Sequence, residues 1–193
     1  MNDIISEIKQ ELRANMNGVA SSYMRKTDDY RVNWGIELPR IHDIASEFEP
    51  NHELAQALWK ENVRECKILA TILMPTDGFD EELCDIWAES IRTEEIAQIF
   101  CINMMAGLPY ASVKAFEWIA GENEKGNQLQ NCGYLTLCHL MRKGELQERA
   151  ANEFLDQASV SLDNKYAIKA LQIFGAQSDD NARRVKKIGD YLI

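Results

Sequence analysis

The chain has 193 residues, of which 46% are hydrophobic and 27% charged, and its formal net charge is −10. That length and apolar content exclude a disordered chain and suit one globular domain, expected to span residues 1–193. The acidic balance argues against the broad basic stripe with which a tight nucleic-acid binder neutralises phosphates.

The N-terminal MNDIISEIKQEL is amphipathic and charged throughout, and lacks the basic start and apolar stretch of a signal peptide. No apolar run is long enough to cross a bilayer, so a cytoplasmic protein with no membrane contact is expected. Apolar spacing predicts helices over 3–14, 18–24, 39–47, 53–60, 63–73, 80–91, 94–105, 111–120, 128–142, 145–159, 165–176 and 179–192. No segment alternates with period two, so an all-α protein is expected. Thr93 ahead of Glu94 and Glu95, and Ser178 ahead of Asp179 and Asp180, read as helix starts. Asp163 reads as the cap of the helix entered at Lys165. Gly78, Gly107, Gly121, Gly126 and Gly144 read as stops, and Pro39 and Pro109 sit beside helix starts, where a missing N–H costs least.

The helices come in pairs at a spacing of roughly 30 to 40 residues, which predicts an α–α superhelix (solenoid) of HEAT-like repeats. Such a stack offers a concave groove along which a polymer can lie. Trp59, Leu69, Ile72, Phe116 and Leu137 are expected in its core. Trp59, Trp87 and Trp118 have apolar neighbours at helical spacing and read as packing residues, whereas Trp34, in the loop RVNWGI, could be exposed or buried. The five cysteines are odd in number, show no C-x-x-C spacing and sit in apolar helical stretches, so they read as buried thiols. The three histidines are far apart; His52 reads as part of a helix start and His139 as an interior or edge residue. Neither a metal nor a cofactor is expected.

The stretch NHELAQALWKENVRECKILAT, residues 51–71, reads as two short helices joined by a break at Glu61–Asn62. Its H-E-L-A-x-x-L-W run (52–59) and R-E-x-x-I-L-A run (64–70) join other pieces. These are the Met24–Arg25 pair, the N-x-G-I turn at Asn33–Ile36 and the helix start at Leu38–Ile41. Together they resemble the HEAT-like DNA alkylation repair family, the alkylpurine DNA glycosylases. The resemblance continues more weakly through Cys101–Asn103 and Phe116–Ile119 to about Gly175. It implies a HEAT-like superhelix and an origin among enzymes that excise alkylated bases.

Those enzymes place tryptophans, an aspartate and an arginine where a cationic base and a developing sugar cation need π-faces and a carboxylate, with arginine on the phosphate. With Cys101-Ile102-Asn103 matched to the family's C-x-N, the tryptophan position of its S-W-D-x-x-D-Q segment falls on Glu94 and the catalytic aspartate on Gln98. The arginine pair ahead of Gly133-Tyr134 is Gln130-Asn131, and the tryptophan ahead of Ala170-Leu171 is Lys169. The four positions Glu94, Gln98, Asn131 and Lys169 are all substituted, so no base excision by the family mechanism is expected. Glu94 and Glu95 are expected to be a solvated pair at a positive helix end.

Charge is uneven. Residues 51–100 hold 4 basic and 11 acidic side chains, whereas residues 101–150 hold 5 of each and residues 151–193 hold 6 of each. The candidate nucleic-acid contacts are therefore Arg142, Lys143 and Lys169, with Arg183, Arg184, Lys186 and Lys187 in the last helix. Two partners fit this pattern: duplex DNA, bound weakly, or a protein held in the concave groove. Basic residues lining one surface favour DNA; a surface of Glu94, Glu95, Glu61 and Asp85 favours a protein.

Overall fold

Caps and apolar stripes set where each helix begins and which side it buries. In the computed structural model, residues 2–27, 30, 32–121 and 128–192 are described, and among them there is no strand. Gly126, read above as a stop, lies outside these residues. The helices group into two compact units, Met1–Met104 and Met105–Ile193.

The first unit holds α1 (Asn2–Ala14), α2 (Gly18–Thr27), α3 (Leu38–Ala45), α4 (His52–Lys60), α5 (Arg64–Leu73), α6 (Glu81–Glu89) and α7 (Glu94–Asn103). The side chains of Asn51, Asp80 and Thr93 accept hydrogen bonds from the N–H groups of Leu54, Leu83 and Ile96, opening α4, α6 and α7 as Asx or Ser/Thr caps do. α5 has no side-chain cap; instead Arg64 N–H donates to the Val32 carbonyl at 3.1 Å, so a distant loop satisfies an orphan donor. α6 ends at Glu89, earlier than the pattern suggests. Ser90 Oγ donates to the Trp87 carbonyl at 2.7 Å and draws that oxygen off the helical ladder.

The loop before α3 is pinned to α2. Gly35 has φ of 68°, and a Cβ there would lie 2.4 Å from the Ser21 backbone nitrogen, so only glycine fits. Trp34, open in the sequence, is buried. The core of this unit is aromatic: Trp59 stacks on Trp87 with centroids 4.2 Å apart, and Phe79 meets Trp87 edge-on at 5.2 Å. Trp59 Nε1 donates to Ser90 Oγ at 2.9 Å, which satisfies its buried N–H.

The second unit opens with a 3-10 turn at Met105–Gly107, followed by α8 (Ala111–Ala120), α9 (Leu129–Lys143), α10 (Glu148–Ser159), α11 (Lys165–Gly175) and α12 (Asp179–Lys186), and closes on a second 3-10 turn at Asp190–Leu192. The final helix is thus shorter than its apolar pattern, and α10 begins at Glu148. Gly144 ends α9 in the left-handed conformation, φ 72°, whereas Gly121 ends α8 in extended backbone. The cap of α11 is Asn164 rather than Asp163: its side chain accepts from Tyr166 N–H at 2.8 Å. Trp59, Leu69 and Leu137 are buried as expected, as are Trp87, Trp118 and all five cysteines. Ile72 and Phe116 are only half-buried, each at the edge of its helix's apolar stripe.

α9 packs tightly against α8 at Gly133, where a Cβ would fall 2.6 Å from Ile119 Cγ1 and 2.7 Å from the Ala115 carbonyl oxygen. Backbone on one side leaves little room to yield. Gly133→Ala is expected to destabilise the protein by about 1–3 kcal/mol, the usual cost of an overpacked core. An unchanged midpoint in chemical denaturation would show that the helices can part without loss.

Candidate nucleic-acid interface

α7 presents the first two family positions. Ile96, Ala97, Phe100 and Cys101 turn inward, leaving Glu94 and Gln98, one turn apart, exposed on the opposite side. The two do share a face, as the i, i+4 spacing requires. Glu95 does not belong with Glu94 in a solvated pair. It is half-buried and accepts two hydrogen bonds from Arg64, at 2.7 Å from Nε and 2.6 Å from the terminal nitrogen, and a third from the Tyr30 hydroxyl.

Arg64 and Glu65, both buried, complete this network. Arg64 also donates to the Ile36 carbonyl at 2.8 Å and to Glu65 at 3.0 Å, and Glu65 accepts from the backbone N–H of Trp34 at 3.1 Å and of Ile36 at 3.3 Å. Burial works to raise the Glu95 carboxyl, but Arg64 outweighs it and holds the group below the usual carboxylate range. Burial and then the Glu95 charge push the Tyr30 hydroxyl up. Arg64, Glu65 and Glu95 are 31 positions apart at their extremes, and a single sequence gives no signal that pairs them. The Arg-Glu step at the mouth of an apolar stripe is the one hint that a charged pair is buried here.

In the second unit, α9 packs against α11. Near the start of both helices the side-chain amides form a network: Asn164 Nδ2 donates to Asn131 Oδ1 at 2.9 Å and to Gln130 Oε1 at 3.1 Å, and Asn131 Nδ2 donates to Gln128 at 2.6 Å. Asn131 therefore serves the helix starts as a neutral link, where the family has an arginine to hold phosphate.

Further along the same helix pair stands a group of cations. Lys169 is exposed on α11, and Arg142 and Lys143 are exposed at the end of α9, with His139 half-buried among them. Burial lowers the His139 pKa, and Arg142, Lys143 and Lys169 lower it further, in that order. Lys143 Nζ donates to the Ala106 carbonyl at 2.6 Å. Three of the seven basic candidates thus act on the charge of His139. Arg183 pairs with Asp180 at 3.2 Å, and Arg184 reaches Glu148 at 3.3 Å and Asn152 at 2.6 Å, so both face acidic or amide partners. Lys186 and Lys187 are exposed at the end of α12. Of the acidic residues weighed for a protein partner, Glu61 is held by Lys9 at 2.6 Å and Glu95 by Arg64.

Short helices packed in succession, with no strand among the described residues, define a helical-repeat protein. The profile of the DNA alkylation repair enzyme family matches residues 6–166, and the chain belongs to that family. A solved structure matches with a TM-score of 0.82 at 16% sequence identity, over 97% of this chain and 82% of the other. That protein is described as one of a new family related to the HEAT-like repeat DNA glycosylases with affinity for branched DNA structures. At that identity the likeness establishes the fold, that of HEAT-like helical repeats. No curated protein matches the chain.

Proposed function

We propose that the chain binds DNA through the cationic patch on α9 and α11 and does not excise alkylated bases by the family mechanism. The observation that carries the proposal is that Arg142 and Lys143 on α9 and Lys169 on α11 all act on His139, in a half of the chain whose basic and acidic side chains balance. Membership of the DNA alkylation repair family supports it, as does the affinity for branched DNA of the structurally similar protein. Three cations on one surface suit weak, sequence-independent phosphate contact, and the acidic residues 51–100 keep non-specific binding low. A protein partner in place of DNA is favoured by that same acidity.

Labelled duplex and a four-way junction of matched length, titrated at low salt, test this. Each phosphate contact contributes about −0.9 to the slope of log affinity against log salt, so Arg142→Glu with Lys169→Glu is expected to weaken binding and flatten the slope by about two contacts' worth. Reversal of Arg183, Arg184, Lys186 and Lys187 should act less, since two of the four already face local partners. Absence of binding to both DNAs, or binding unmoved by the Arg142 and Lys169 reversal, would leave the protein-scaffold reading in possession.

A further inference from the structure

A second cationic feature lies in the first unit, where the net charge makes it least expected. The turns after α4 and after α6 enclose a cavity of about 340 Å³, lined by Tyr30, Asn62, Arg64, Lys67, Ser90 and Arg92 among others. That volume is at the lower end of small-ligand pockets. Arg64 brings no free positive charge to it, because the two carboxylates of Glu65 and Glu95 more than offset its single charge.

Lys67 and Arg92 are different. Neither has a carboxylate partner among the described residues. Lys67 Nζ donates to the Trp59 carbonyl at 2.9 Å and lies 4.3 Å from the centre of the Trp59 ring. Arg92 is exposed and spends one terminal nitrogen on the carbonyls of Glu89, at 2.6 Å, and Ile91, at 3.3 Å. An ammonium uses one of its three donors and a guanidinium keeps its other nitrogens, so both retain N–H groups for the cavity. Burial and then the charge of Arg92 lower the Lys67 pKa to about 8. The two cations line one cavity and feel each other's field, without a carboxylate partner among the described residues, in a stretch of chain that carries 11 acidic side chains.

We propose that this cavity is a binding site for a phosphate dianion, held between Lys67 and Arg92. A phosphate monoester carries about −1.5 to −2 at neutral pH and so matches two cations, whereas one carboxylate leaves one of them uncompensated. Arginine supplies the planar fork that suits an oxyanion and lysine the point charge. The dianion could be inorganic phosphate or the terminal phosphate of a nucleotide or strand. The site belongs to the first unit, whereas α9 and α11 belong to the second.

The test uses the whole protein near pH 7.5 and follows tryptophan emission, because Lys67 lies over Trp59. Sodium phosphate is expected to give a saturable change that sodium chloride at equal ionic strength does not. Lys67→Met and Arg92→Gln are each expected to weaken the response by about tenfold or more, as loss of one charged hydrogen-bond partner does. Arg142→Glu should leave it unchanged, which separates this site from the DNA patch. If Lys67→Met does not fold, the exposed Arg92→Gln decides alone. Thymidine 5′-monophosphate beside thymidine then identifies the source: tighter binding than inorganic phosphate assigns a nucleotide end, and equal binding assigns free phosphate. No saturable change with either phosphate, or a response unaltered by Arg92→Gln, would overturn the proposal.

Discussion

Replacing Arg64 with methionine is expected to cost about 3–5 kcal/mol of folding stability, the scale of breaking a buried ion pair from one side. The side chain is 2% exposed, and its removal strands Glu65, which is 0% exposed, and Glu95, whose pKa it holds down. Four of its five N–H donors are used on Glu95, Glu65 and the Ile36 carbonyl, so methionine replaces none of what is lost. Urea denaturation measures the change. The wild-type contribution of Glu95 has a definite sign with pH: its carboxyl is depressed below 4.5, so the stability it adds is present above that pH and is lost as pH falls through the depressed value. A variant with an unchanged midpoint would show that the two glutamates are satisfied without the guanidinium.

Alkylated duplex DNA incubated with the protein is expected to release 3-methyladenine and 7-methylguanine no faster than without it. Gln98 supplies no negative charge, Lys169 puts a cation where the family has an aromatic ring, and Asn131 is bound into an amide network. Loss of one preorganised electrostatic stabiliser costs roughly two to three orders of magnitude in rate. Both Glu95 oxygens are taken by Arg64 and Tyr30, which leaves Glu94 as the carboxylate exposed on that face of α7. Excision clearly above background, abolished by Glu94→Gln, would show that the site has been rebuilt around that residue.

Helix number, order and most starts were legible from the sequence, because caps and apolar spacing are local signals. Thr93 and Ser178, read as helix starts, each close the first turn with their side chains. The misses are where a neighbour in space decides. Asn164 displaces Asp163 as a cap through its amide, which also binds Gln130 and Asn131 on another helix. Glu95 looked like a surface residue because its partners, Tyr30 and Arg64, are 65 and 31 positions away. That Lys67 and Arg92 line one cavity could not be read from the sequence, since it depends on how α5 meets the turn after α6. The basic run at 183–187 was the most visible cation cluster in the sequence, yet Arg183 and Arg184 face Asp180 and Glu148.

The burial of every thiol gives the protein a clock for its own breathing. Cys66, Cys84 and Cys101 lie in the first unit and Cys132 and Cys138 in the second, each shielded from solvent. Burial, then Glu61, pushes the Cys66 thiol up to about 12, so the closed state offers almost no thiolate to a reagent there. Alkylation therefore proceeds through opened molecules, at a pace set by how often each cysteine is uncovered. One sample, quenched over time and mapped residue by residue, reports separately how readily each half of the chain comes apart.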